Sequence, residues 1–353
     1  MDDRMETVVA GVALKNPVIT ASGTFGSGRE YGELIDLDRL GAVTVKGVSC
    51  EPWKGNPAPR IAETQSGMLN SIGLQNPGME HFIEYDLPFL RQHDTKIIVN
   101  ICGHTLAQYC AVAERLADCD VDMLELNVSC PNVEEGGLAF GTAPRMVERV
   151  VQAVRHYTGQ PLAVKLSPEV TDITEIARAA VSGGADALSL INTLRGMKID
   201  IYRRRPVLAS KTGGYSGPGI MPVALRMVYE VRKAVDVPVI GMGGIATFED
   251  ALEFIMAGAA AVAVGTANFH NPYATVEIIE GIRGYMEENN IASFDRIRGI
   301  IEMVFIPDKI RNRIFCQTFL YCHSHFYVPA VVFLEADPLF AVVLGKVPGS
   351  SSV

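Results

Sequence analysis

Side chains able to do chemistry recur in this chain at the ends of short apolar runs. Ser22, Lys46, Asn100, Asn127 with Cys130, Lys165, Asn192 with Thr193, Gly243–Gly244 and Gly265–Thr266 each close or follow such a run. Singly, each has a plain explanation: a strand-end Asn is commonly a turn former and a strand-end Lys a solvated surface group. Together they make one face on which hydrogen-bonding groups converge. Lys46 in TVKGVS and Lys165 in AVKLSP would bring two ammonium groups there, and two cations need an anion. One reading is a Schiff-base lysine with a phosphate bound at its far end. Another is stabilisation of an electron-rich ring, such as a reduced flavin with negative charge near N1 and the C2 carbonyl.

Two turns point to phosphate. GMGGI (241–245) and VGTANF (264–269) put flexible backbone N–H groups after consecutive apolar runs, the first just before a helix. Glycine there also suits close strand-to-helix packing. Cys130, in NVSCPNVEEGG, stands between Ser129 and Pro131 on a polar, glycine-containing stretch rather than in a core-like one. A thiol so placed is suited to abstract a proton.

The elements that must position these groups read as alternating strands and helices. Strands are predicted at 17–22, 42–47, 96–101, 123–127, 162–166, 187–192, 237–242 and 261–264. Several are almost continuously apolar (IIVNI, PLAVKL, PVIGM, AAVAVG), as strands covered on both faces of a parallel sheet are. Helical spacing of apolar residues marks 106–119, 143–157, 174–184, 222–235 and 247–259, with Thr247 as an N-cap. Eight such units in roughly 265 residues match a single (β/α)8 TIM barrel, an α/β fold of about 250 residues. A doubly wound sheet is the runner-up, but ASGTFGSG after the first strand lacks the G-x-G-x-x-G turn that binds dinucleotides. TVVAGVALKN, before the first strand, alternates and predicts an N-terminal hairpin plugging the barrel bottom. The long connections 47–95 and 192–236 predict functional loops at the C-terminal face.

Composition narrows the function classes. The chain has 353 residues, 48% hydrophobic and 20% charged, with a net charge of −9, enough to bury a large core. Without a dense Lys/Arg run it offers no footprint for nucleic acid or anionic lipid. No apolar stretch reaches the ~20 residues of a membrane span, and the acidic N-terminus lacks a secretory pattern. Seven scattered cysteines without C-x-x-C argue against a disulfide framework and a zinc finger, so a cytoplasmic chain is expected, with no metal site. Residues 302–353 differ in kind: they carry eight of the chain's 14 Phe and 11 Tyr. Cys316, Cys322, His323 and His325 there have no recognisable zinc spacing. The division expected is a catalytic barrel over 1–301 and an aromatic-rich tail of unknown role over 302–353.

With these residues assembled, the chain resembles the class 1B, NAD-linked dihydroorotate dehydrogenase catalytic subunits. The motifs run in order from Thr7 to about Ile300: ITASGTFG, TVKGVS, GNPAPRIAETQSGMLNSIGLQNPG, VNICG, ELNVSCPNV, AVKLSP, LINTL, GGYSGPGI, GMGGI and VGTA. The resemblance implies a barrel with FMN over its mouth, oxidising dihydroorotate to orotate in pyrimidine biosynthesis. Ser22, Lys46, Gly47, Asn100, Asn127, Lys165, Ile191, Gly217, Gly243, Gly244, Gly265 and Thr266 would hold FMN, the last four around its phosphate. Lys46, Asn70, Ser71, Ile72, Gly73, Leu74, Asn127, Asn132, Asn192 and Thr193 would hold dihydroorotate. Cys130 would be the catalytic base as a hydride leaves for FMN, Lys46 would bridge flavin and substrate, and residues 196–219 would form a mobile lid. The resemblance also implies a homodimer paired, as a heterotetramer, with an electron-transfer subunit carrying FAD and a [2Fe–2S] cluster. No cluster-binding cysteine pattern occurs here, so those cofactors would sit on the partner. The tail from Glu302 matches nothing in the family.

Three alternatives make different predictions. A fumarate-dependent class 1A homodimer would turn over without a partner. A phosphate-binding aldolase would trap substrate on Lys46 or Lys165 with borohydride and bind no flavin. An inactive scaffold barrel is disfavoured because Cys130, Lys46, Lys165 and the Asn set are all present.

Overall fold

Eight short parallel strands form a closed barrel in the computed structural model, which describes residues 3–128 and 140–302. Cys130, Asn132 and residues 303–353 lie outside the described residues. The strands are β1 (Val18–Thr20), β2 (Ala42–Thr44), β3 (Lys96–Ile101), β4 (Met123–Asn127), β5 (Leu162–Lys165), β6 (Ala187–Leu190), β7 (Val239–Met242) and β8 (Ala261–Val264). Each pairs with the next in sequence, and β8 closes on β1 from Val262↔Val18 to Val264↔Thr20. The (β/α)8 barrel expected from the pattern is the fold observed. β3, β4 and β8 have the expected bounds. β1 and β7 begin later than expected, just after Pro17 and Pro238, which have no N–H to give to a ladder.

The barrel strands alternate with period two. Val43, Ile97, Val99, Leu124, Leu126, Val164, Leu188 and Val262 face outward into the main core, beneath a ring of helices. Ile19, Ala42, Ile98, Met123, Ala163, Ala187, Ile240 and Ala261 face inward as an apolar floor. Two residues further along β2 to β6, the same inward positions carry Thr44, Asn100, Glu125, Lys165 and Ser189, all buried. The interior is therefore oily at the bottom and polar towards the C-terminal end.

The five expected helices are all present, with the ring helix after β7 starting on a capping box between Thr247 and Asp250. Sequence reading missed the helix Ala274–Glu288. Its β-branched residues and two glycines blur the helical signal. Tertiary packing overrides that: Ile278, Ile279, Ile282 and Met286 are buried, and Gly281 lets Phe248 pack against the helix backbone.

The N-terminal hairpin pairs Thr7–Val9 with Val12–Leu14 across Ala10 and Gly11, both at positive φ as in a type I′ turn. Val9, Val12 and Leu14 belong to the inward-facing cluster, so the hairpin plugs the barrel floor as expected. Thr7 Oγ1 donates to the Ala260 carbonyl at 3.0 Å.

The two long connections are not loose loops. Strands Ile61–Thr64 and Gly67–Asn70 from the first, with Leu194–Met197 and Thr212–Ser216 from the second, form one four-stranded antiparallel sheet. Among the described residues, no helix is long and apolar enough to cross a membrane.

Candidate active site

The polar layer of the interior is one connected network. Lys165, at the end of β5, is 5% exposed, and its Nζ donates to Ser22 Oγ at 3.4 Å. Its ammonium lies 3.8 Å from Glu125 Oε2, so part of the anion that two lysines require is supplied from within the protein. Glu125, 3% exposed, accepts from Asn100 Nδ2 at 2.5 Å and from Ser189 Oγ at 2.7 Å. Strand register explains the first contact, because Asn100 on β3 lies directly opposite Glu125 on β4.

Glu125 was not singled out from sequence because MLELN reads as an apolar strand. The signal was nevertheless present. Met123, Glu125 and Asn127 share one face by alternation, and on that face a carboxylate sits two residues below an expected ligand-binding amide.

Asn100 gives the site its most specific feature. Its Oδ1 is buried and has no hydrogen-bond partner. Such an acceptor is costly to leave unpaired, so it marks a place where a ligand donor belongs. Gly47 adjoins it: a Cβ there would fall 3.0 Å from Asn100 Oδ1 and 3.3 Å from Cys102 Sγ. Lys46, half-buried, has its ammonium pushed below the usual lysine range, mainly by burial. Cys102 opposes that shift, while Lys165 and Arg60 add to it by repulsion. A buried free acceptor, two ammonium groups and a side-chain-free backbone stretch suit a flat, electron-rich heterocycle bearing an N–H.

A second cluster lies at the ends of β7 and β8. Gly243 and Gly244 have φ of 124° and 87°, a region that favours glycine. A Cβ on Gly244 would fall 2.7–2.9 Å from Met221 atoms, and one on Gly243 would fall 2.8 Å from Ala224 and 3.3 Å from Ile191. Close packing against the helix Met221–Ala234 thus requires these glycines, alongside any role with an anion. Ile191 is buried, and its N–H donates to the Met242 carbonyl at 2.9 Å. Gly265 has open space on one side, its nearest neighbour being Ala21 at 3.5 Å from a built Cβ. Thr266 Oγ1 donates to Ser216 Oγ at 2.8 Å, tying the end of β8 to the four-stranded sheet just before Gly217. Gly217 packs against Gly67, whose Cα would be 2.7 Å from an added Cβ.

The remaining candidates follow the strand ends and that sheet. Asn127 is buried at the end of β4, where its carbonyl accepts from Tyr109 Oη at 2.7 Å. Asn192 Oδ1 accepts from the Thr193 N–H at 2.8 Å, just beyond β6. Asn70 ends a sheet strand opposite Gly214. The loop Ser71, Ile72, Gly73, Leu74 follows directly, held by Asn56, which gives its backbone N–H to the Ile72 carbonyl and its side-chain amide to Ser71. Sequence reading did not pick out Asn56. The structure thus connects Ser22, Gly47, Asn100 and Lys165 in one cluster, and Ile191, Gly217, Gly243, Gly244 and Thr266 around a neighbouring set of strand ends.

Comparison with known proteins adds to this geometry. A family model described as dihydroorotate dehydrogenase matches residues 4–286. The curated "Dihydroorotate dehydrogenase B (NAD(+)), catalytic subunit" of Alkaliphilus metalliredigens is 68% identical over 295 residues, 84% of this chain and 98% of that protein. The protein of the same name from Alkaliphilus oremlandii is 66% identical, over 82% of this chain and 96% of its own length. That from Thermoanaerobacter pseudethanolicus is 55% identical, over 85% and 99%. A crystal structure of DHODH from Eimeria tenella in complex with ferulenol shares the fold, with a TM-score of 0.68 at 22% identity over 85% of this chain and 89% of that one.

Proposed function

The chain belongs to the dihydroorotate dehydrogenase family, and on that premise we propose that it is the catalytic subunit of an NAD-linked enzyme oxidising (S)-dihydroorotate to orotate in pyrimidine biosynthesis. The near-full-length match to relatives named for that activity carries the reading, and it favours the NAD-linked form over a fumarate-dependent homodimer. The geometry supports it independently through the unpartnered Asn100 Oδ1 beside Gly47.

FMN is the cofactor that these residues suit. When bound, it accepts the two electrons that dihydroorotate gives up. Gly243, Gly244, Gly265 and Thr266 would hold its phosphate. Ser22, Lys46, Gly47, Asn100, Asn127, Lys165, Ile191 and Gly217 would hold the rest of it. Lys165 would supply positive charge to the bound cofactor, favouring its electron-rich state. Cys130, on the segment leaving β4, takes a proton from substrate C5. Asn70, Ser71, Ile72, Gly73, Leu74, Asn127, Asn132, Asn192 and Thr193 orient the substrate, the asparagines offering donors and acceptors to its ring amides and carboxylate. Lys46 meets substrate and cofactor together. The chain works as a homodimer in the cytoplasm, joined into a heterotetramer by a subunit whose FAD and [2Fe–2S] cluster pass electrons to NAD.

An anaerobic visible spectrum of the purified chain, before and after dihydroorotate, tests this. A yellow protein that bleaches is expected. A folded, colourless protein would reject FMN, and a yellow one that does not bleach would reject the substrate or the base.

A further inference from the structure

We propose that Glu125 is a positioning residue that sets both the charge and the hydrogen-bonding polarity of the flavin-binding side of the barrel. The inference rests on the FMN reading above and extends it to a residue with no role there. Glu125 occupies an inward position between Met123 below and Asn127 above, in the buried polar layer that sits on the apolar floor. Removing a carboxylate from water there is unfavourable unless its partners compensate. Each of its three partners lies on a different strand: Asn100 on β3, Lys165 on β5 and Ser189 on β6.

Two consequences follow from that geometry. First, an ionised carboxylate only accepts hydrogen bonds, so the Asn100 side chain must turn its Nδ2 towards Glu125. Its Oδ1 is then forced to the opposite side, where it is the unpartnered acceptor next to Gly47. Glu125 thereby decides that this site offers an acceptor rather than a donor. Second, its charge, 3.8 Å from Lys165 Nζ, offsets part of the ammonium's field. The carboxylate moderates how strongly the site favours an electron-rich ring, and without it the electron would be held more tightly.

The test is to reconstitute apoprotein with FMN and measure the FMN dissociation constant and the midpoint potential for wild type, Glu125→Gln and Glu125→Asp. Glu125→Gln removes the charge and lets the Asn100 amide turn either way. FMN should bind at least tenfold more weakly, and the preference for reduced over oxidised FMN should rise about tenfold, about 30 mV for a two-electron couple. Glu125→Asp keeps the charge and should stay within about threefold of wild type in that preference. An unchanged or lowered potential in Glu125→Gln would overturn the proposal, as would an aspartate variant that behaves like glutamine. Should Glu125→Gln fail to fold, Ser189→Ala leaves the charge but removes one of its donors. The potential should then move the opposite way, and no movement would equally overturn the idea. Wild-type apoprotein that takes up no FMN would instead reject the functional reading itself.

Discussion

Lys46, just past β2, and Lys165, the last residue of β5, are the same residue type in different surroundings. Lys165 is almost fully buried and has a carboxylate partner. Lys46 is half-buried, with its pKa lowered chiefly by desolvation; Cys102 pulls it back up, and Lys165 and Arg60 lower it further. The sign for function follows directly. Above its pKa the amine is neutral, so the hold on an anionic substrate proposed for it would be lost as pH rises, beginning below the ordinary lysine range. KM for dihydroorotate should therefore climb on the alkaline side, and Lys46→Arg should move that limb to higher pH, since guanidinium stays charged. The same lowered pKa means that the unfolded chain holds this proton longer, so this group's contribution to stability increases with pH through that window. Cys130→Ala should retain FMN but slow its reduction by dihydroorotate by at least about a hundredfold, the usual scale of a lost general base. Stopped-flow bleaching reads this directly, and unchanged kinetics would remove Cys130 from the role. At this scale the sequence was legible wherever a polar residue ended an apolar run, as with Lys165 and Asn100. Glu125 was harder to read, because a single charge inside an apolar strand is only a weak local signal, and its meaning comes from partners on three other strands.

The glycine turns show how much of an element's shape a few positions carry. Gly244 has a left-handed backbone and no room for a Cβ against Met221. Gly244→Ala should lower stability by about 1–3 kcal/mol from backbone strain alone. It should also weaken FMN retention as the turn shifts, which denaturant melts and a flavin release assay would separate. Barrel strands and most ring helices were readable because their alternation and capping are local. The helix Ala274–Glu288 was not, since its β-branched residues become favourable only once buried against the barrel. The four-stranded sheet was also missed. Its short, glycine-rich strands lack strong alternation, and its pairing joins segments from two connections over 140 positions apart, as in Asn70↔Gly214.

For the molecule as a whole, the family match ends at residue 286 and the described structure at 302, leaving residues 303–353 without a counterpart in either. We expect truncation after Ile301 to leave dihydroorotate-dependent bleaching within about twofold of the full chain, a smaller change than loss of any catalytic group would give. Loss of folding in that variant would instead make the tail part of the core. The N-terminal hairpin carries a separate consequence, for how the chain becomes folded in the first place. Thr7 is bonded to a carbonyl 253 positions later, and the β1–β8 ladder spans almost the same distance. During synthesis, then, the emerging polypeptide must wait with both lateral margins of an incomplete sheet exposed, until the eighth strand has left the ribosome. Such non-local closure makes folding slow, on the order of milliseconds to seconds. The nascent chain is most vulnerable to aggregation in the interval before its first and last segments can meet.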